Sequence, residues 1–197
     1  MRPPPPSRAT AQEGFAALCA LLTHQAQVQL EDLELAVETD ATRLAVDERI
    51  FGLLDELWEN ELIERLIYKA VKHRRDSSAI SLRTSRYRAE RQQAVLEQHH
   101  VACSTADHDD GTEHGALEQL QRDYDAAECA IRGLEVEQFQ VDLEYQDEVL
   151  VSAQNLRQSD IASVQQLLTA QRDVDLTAQR LELATRRAAQ CGAGPAV

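Results

Sequence analysis

The feature that most constrains this chain is the absence of proline between Ser7 and Gly194. Proline ends a helix more reliably than any other residue, because it lacks the amide proton and its ring clashes with the preceding turn. Two of the glycines, Gly111 and Gly115, lie in one polar run at residues 107–115, and clustered Gly and Asp are typical of turns. The sequence therefore predicts an all-α fold in which two long arms form an antiparallel helical hairpin or coiled coil.

Polar stretches and stretches that contain Pro or Gly divide the chain into five predicted segments. They are a Pro-rich flexible N-terminus at 1–9, a first helical arm at 10–105, a polar turn at 106–115, a second arm at 116–190 and a flexible tail at 191–197. Short polar side chains compete for the backbone at 39–42 and 76–78, so both are candidate breaks in the first arm. A helix that continues through them remains open.

The second arm shows the apolar spacing of three and four residues that marks a helical seam. The spacing is regular in the first part of the arm, slips near Val136 and slips again before Ile161, Val164 and Leu168. Slips of this kind are expected in long coiled coils. We expect the apolar residues of the second arm to face the first arm.

Opposite charges are concentrated in two bands that the hairpin would bring together. Residues 65–91 hold nine Lys and Arg against two acids, a net charge of +7, and residues 129–155 hold six acids against one Arg, a net charge of −5. Opposite charges beside a seam set its register and orientation. The residues expected to pair across the arms are Arg83, Arg86 and Arg88 with Glu137, Glu144 and Glu148.

The stretch from Leu44 to Val71 is too apolar for a two-helix seam to bury. Its large side chains cover more than half of a helical circumference. We therefore expect a third helix or a second subunit to complete this part of the core. The predicted partner interface consists of Leu54, Trp58, Leu62 and Leu66.

Composition excludes several classes of partner. A net charge of −14 opposes nucleic-acid binding and docking on anionic lipid. Apolar runs of the roughly 20 residues that a membrane span needs are missing from the sequence, so membrane insertion is not expected. The four cysteines share no short spacing and nothing else in the sequence indicates an oxidising compartment, so we expect a cytoplasmic protein associated with the cytoskeleton. A bridge between Cys103 and Cys129 across the turn is nevertheless geometrically possible.

One cluster near the turn has side chains suited to a soft divalent metal. Imidazole and thiolate groups at helical spacing can bind zinc. The candidate ligands are His99, His100, Cys103, His108 and His114. Against this, the paired Cys-x-x-Cys or His-x-x-x-His frame of zinc sites is missing, and polar turns often collect histidine.

The sequence contains neither a Gly-rich phosphate loop nor a nucleophile elbow. We therefore expect a non-enzymatic structural or scaffold subunit without a cofactor, which forms homo- or hetero-oligomers with protein partners through helical packing. The alternative is a compact helical bundle that binds a metal or a small ligand near the His99–His114 cluster.

Overall fold

Four helices make up most of the chain that the structure, a computed structural model, describes: residues 8–104 and 112–191, with side chains from 14–104 and 115–191. They are α1 (Arg8–Glu59), α2 (Arg65–Ser104), α3 (Thr112–Gln158) and α4 (Val164–Ala189). Strands do not occur in these residues, so the all-α prediction is confirmed. None of the described helices has both the length and the apolar character needed to cross a bilayer.

The helices end at places that the sequence analysis did not predict. Both candidate breaks, 39–42 and 76–78, are helical, because Thr, Asp and Ser are each only mildly unfavourable inside a helix. The breaks occur instead at 60–64 and 159–163, so each predicted arm consists of two helices. The predicted turn at 106–115 lies outside the described residues up to 111, and residues 112–115 already belong to α3.

Two turns of the same construction make these breaks. Glu61 and Asp160 have left-handed backbones, with φ angles of 57° and 56°. In the first turn the amide of Leu62 donates to the carbonyl of Leu57 at 2.9 Å, and the amide of Ile161 donates to Leu156 at 2.9 Å in the second. This is the Schellman pattern of helix termination, which usually uses glycine at the left-handed position. Because Glu61 and Asp160 occupy this position, the sequence lacks the glycine that usually marks the end of a helix.

The chain divides into two compact units. Unit 1 comprises Met1–Ala36 and Arg86–Glu128. Its buried cluster joins Ala26 and Leu30 of α1 to Leu96 of α2. A disulfide between Cys19 and Cys103 also links these helices.

Unit 2 comprises Val37–Ser85 and Cys129–Val197. Here α1 and α2 run antiparallel and pack through aromatic rings around Tyr68. The ring of Trp58 stacks on Tyr68 with centroids 4.9 Å apart, and Phe51 lies 5.6 Å from the same ring. Burial, together with a 2.9 Å hydrogen bond from its hydroxyl to Asp55, raises the pKa of Tyr68.

The last helix of unit 2, α4, packs against α3. A second disulfide joins Cys129 of α3 to Cys191, just beyond the end of α4. At the other end of α4, Ala153 of α3 and Ala170 of α4 line one surface hollow. The sequence leaves a bridge between Cys103 and Cys129 geometrically possible. That pairing is wrong, because each of these cysteines is bonded to another cysteine within its own unit.

Two polar pairs interrupt the α1–α2 seam of unit 2 at a spacing of seven residues. The hydroxyl of Ser78 donates to Asp47 at 2.6 Å, and the hydroxyl of Ser85 donates to Asp40. The Asp47 side chain is only 2% exposed. Nε of Arg74 lies 2.7 Å from its second oxygen, at an angle unsuited to a hydrogen bond. Because a shift of register would leave the carboxylates without donors, these pairs favour one alignment of α1 with α2.

The stacking of Trp58 predicts a clear difference between two residues that the sequence assigned to one interface. We expect Trp58→Ala to lower the free energy of unfolding by about 2 kcal/mol, because it removes a half-buried aromatic contact. Leu62→Ala should cost less than about 0.5 kcal/mol, because that side chain is 69% exposed. Urea unfolding of the dilute protein measures the loss of stability in both variants. Equal losses would contradict the packing of Trp58 within the chain and the exposure of Leu62.

The buried Asp47–Ser78 pair predicts a non-additive response. Ser78→Ala should destabilise the protein by about 1–3 kcal/mol, because it removes a donor from a buried carboxylate. Asp47→Val combined with Ser78→Ala should restore most of that loss, because apolar pairs of similar volume commonly replace buried polar ones without cost. Urea unfolding of the native chain, of Ser78→Ala and of the double variant measures the three free energies of unfolding. A double variant no more stable than Ser78→Ala would refute this explanation.

Candidate interaction surfaces

The contact between α2 and α3 in unit 2 is a seam of ion pairs. Glu148 receives a hydrogen bond from Arg65 at 2.7 Å and lies 3.3 Å from the amine of Lys69. Two helical turns away, Nε2 of His73 lies 2.8 Å from Asp142. These pairs are possible because α2 carries the basic band and α3 the acidic band, and the two run antiparallel.

The residues predicted to pair across the bands have different surroundings. Arg83 forms an ion pair with Glu137, and Glu148 pairs with Arg65 and Lys69. Three of the predicted residues are exposed and take part in none of the ion pairs seen among the described side chains; they are Arg86, Arg88 and Glu144. Charge counting located the seam but could not identify each pair, because pairing depends on which side of the helix a residue occupies.

The apolar stretch at 44–71 contains the first turn, and its two halves cover one another. Trp58 packs on Tyr68 within the chain, and Leu54 and Leu66 are half-buried. Leu66 lines a surface hollow together with Val151 and Leu156 of α3. Of the four residues predicted to form a partner interface, Leu62 alone is exposed. The prediction of one over-apolar helix failed because it assumed that residues 60–64 were helical.

The candidate metal ligands do not form a site in the described part of the chain. Cys103 is bonded to Cys19, so its sulfur is not a free thiolate. His99 is half-buried and His100 is exposed, whereas His108 and the side chain of His114 lie outside the described residues. Among the described side chains, there is no group of three or more metal-binding residues placed to hold an ion.

Unit 2 also carries two rows of large apolar side chains that face solvent. On α1 the row consists of Val46, Leu53 and Leu57, and on α4 it consists of Val164, Leu168 and Leu176. Leu53 is 62% exposed and Leu168 is 64% exposed. We call these rows the α1 face and the α4 face.

The sequence analysis misassigned the α4 face. Val164 and Leu168 were expected to form the seam of the second arm, but the side of α4 that packs consists of smaller residues. Its buried positions are Ala170, Thr177 and Ala184, at a spacing of seven. The half-buried Leu167, Val174 and Leu181 alternate with these positions along α4 and complete a spacing of three and four. This regular pattern was the available signal, but its small and polar residues concealed it.

The ion pairs of Glu148 predict a pH dependence of stability. The hydrogen bond from Arg65, followed by that from Lys69, lowers the pKa of Glu148, while burial opposes the shift. A carboxylate with a lowered folded-state pKa stabilises the fold above its unfolded pKa of about 4.3. We therefore expect Glu148→Gln to be less stable than the native chain at pH 7 and to approach it as the pH falls to 3.

Urea unfolding between pH 7 and pH 3 tests this expectation. Glu144→Gln is the matched control, because it removes the same charge one helical turn away on α3. Equal effects of the two substitutions at pH 7 would show that net charge, rather than the contacts of Glu148, determines the stability.

Comparison with known proteins does not assign a family to these surfaces. No family model matches the chain, no curated protein is significantly similar to it, and no solved structure has a significantly similar fold. The function of the chain is therefore argued from its charged seam and its two apolar faces.

Proposed function

We propose that this chain is a non-enzymatic structural or scaffold subunit of a protein assembly, and that it acts through helix–helix contacts. Ion pairs set the register of the seam inside the chain, and apolar faces on the outer sides of α1 and α4 bind helical partners. The proposal keeps the sequence-based expectation of a scaffold, but it moves the interface from Trp58 and its neighbours to these two faces.

The observation that supports the proposal is the distribution of apolar and charged side chains in unit 2. The α2–α3 contact, which is satisfied within the chain, uses charged residues such as Arg65, Lys69 and Glu148. The α1 and α4 faces, which face solvent, use Val and Leu at helical spacing. Burying one such side chain stabilises a complex by about 1.5–3 kcal/mol, so covering these rows provides a strong driving force for association. Rows of this length are typical of interaction surfaces.

The alternative function, binding of a metal or small ligand near His99–His114, has less support. It depended on Cys103 as a soft ligand, and this sulfur is bonded to Cys19. The remaining candidates on α2, His99 and His100, are adjacent in sequence and therefore project from different sides of the helix.

Site-specific photocrosslinking in the native cells tests the scaffold proposal. A photoreactive phenylalanine analogue at position 53 or 168 should crosslink to another protein chain, because both positions lie in the apolar faces. The matched control is position 48, an exposed glutamate on α1 outside the α1 face.

Crosslinks to another chain from positions 53 and 168, with few from position 48, are the expected result. If all three positions gave equally weak crosslinking, the faces would not be covered in the cell and the scaffold proposal would fail.

A further inference from the structure

The two turns show that the chain contains one structural motif twice. Glu61 and Asp160, which occupy the same position in their turns, are 99 positions apart. The amides of residues 60, 61 and 62 bond to residues 56, 58 and 57, and those of 159, 160 and 161 bond to 155, 157 and 156. The next helices also begin alike, since Tyr68 bonds to Glu64 and Leu167 bonds to Ser163.

The packed sides of α2 and α4 follow the same offset. Ser78 and Ser85 of α2 are buried, and so are their equivalents Thr177 and Ala184 of α4. The hairpin of α1 and α2 is therefore equivalent to the hairpin of α3 and α4. Little sequence identity remains between them, which is why the sequence alone did not show the repeat.

Besides the side that packs on α1 through Ser78 and Ser85, α2 has a second side with a different neighbour. That side packs on α3: Arg65 and Lys69 approach Glu148, and Arg65 lines a hollow with Ser152 and Leu156. Lys69 lines a neighbouring hollow with Tyr145. Within unit 2, this contact joins the second helix of one hairpin to the first helix of the next.

The same positions on the outer helices are the two apolar faces. On α4, Val164 and Leu168 are equivalent to Arg65 and Lys69. On α1, the equivalents of Tyr145, Ser152 and Leu156 are Val46, Leu53 and Leu57. All five are exposed. The two positions that carry Arg65 and Lys69 on α2, where these residues contact Glu148 of α3, are thus apolar on α4, where they face solvent.

We propose that the α4 face of one copy binds the α1 face of a second copy, in the antiparallel arrangement in which α2 binds α3. The inference rests on the proposed scaffold function and names the partner as this chain itself. Transfer of the α2–α3 contacts places Val164 and Leu168 beside Arg49, the equivalent of Glu148. The positions that share the two hollows place Val164 near Leu53 and Leu57, and Leu168 near Val46. The seam replaces the ion pairs of Arg65 and Lys69 by contacts of Val164 and Leu168 with aliphatic side chains and with the stem of Arg49.

This contact joins two different surfaces, so it is heterologous and does not close on itself in a dimer. Each bound copy still presents a free α1 face or a free α4 face. The protein is therefore expected to form oligomers larger than a dimer as its concentration rises.

Complementary variants test the arrangement by analytical ultracentrifugation of the purified full chain. Leu53→Glu blocks the α1 face and Leu168→Glu blocks the α4 face, so each variant alone should be monomeric. Their mixture should form a 1:1 dimer that does not grow, because one intact α1 face meets one intact α4 face. Ile67→Glu, at an exposed position of α2, is the matched control and should assemble like the native chain.

The outcomes separate the alternatives. A contact between two α1 faces would be blocked by Leu53→Glu but not by Leu168→Glu. The Leu168→Glu variant would then associate by itself, without the other variant, and this result would overturn the proposal. A native chain that is monomeric at every concentration would also overturn it. If the chain still crosslinked to other proteins from positions 53 and 168 in cells, the scaffold function would stand with a different partner. Unchanged helicity and thermal midpoint show that each variant is folded.

A charge substitution tests the register of the contact. Arg83 of α2 pairs with Glu137 of α3, and their equivalents are Glu182 of α4 and Glu38 of α1. Two acids would thus lie close together at the edge of the contact. The equivalents of His73 and Asp142 are Arg172 and Arg43, so two arginines would also lie opposite each other. Glu38→Lys should tighten self-association about two- to five-fold, the effect of one exposed ion pair.

Glu48→Lys is the control for this substitution, because it makes the same change in net charge on α1 but lies outside the α1 face. Equal tightening by Glu38→Lys and Glu48→Lys would show a general charge effect and would overturn the proposed register.

Discussion

The left-handed residue Glu61, just after the end of α1, is the constraint on which the rest of unit 2 depends. A left-handed residue at this point reverses the chain, so Phe51 and Trp58 on one side meet Tyr68 on the other. If α1 continued through residue 61, this apolar stretch would lie on one helix and would need an external cover. The reversal instead satisfies it within the chain and leaves the opposite side of α1 facing solvent. The same turn at Asp160 has the same effect on α3 and α4.

Charged and apolar contacts have different roles in this molecule. The α2–α3 seam uses ion pairs, which contribute little stability when exposed but are sensitive to register. The two Asp–Ser pairs of the α1–α2 seam act in the same way at buried positions, where a missing donor costs more. The apolar side chains of the α1 and α4 faces are largely exposed in the single chain. The proposed scaffold function would bury them.

The cysteines change the interpretation of the chain in two respects. Each unit contains one disulfide between residues far apart in sequence, 84 positions in unit 1 and 62 in unit 2, and such bonds stabilise a fold by restricting its unfolded state. Disulfides persist mainly in oxidising compartments, which weighs against the cytoplasmic and cytoskeletal location suggested by the sequence. The bond at Cys103 also removes the thiolate on which the candidate metal cluster depended.

The sequence by itself determined the all-α class and the approximate opposition of the basic and acidic bands, because proline content and net charge are summed over long segments and do not depend on exact helix ends. The tertiary structure decided where the helices end, since Glu61 and Asp160 adopt a conformation that usually calls for glycine and that composition does not reveal. It also decided which face of each helix packs. Small residues such as Ala170 and Ala184 are buried on α4 while Leu168 is exposed, because close helix packing requires small side chains and hydrophobicity alone does not show which side a neighbour covers.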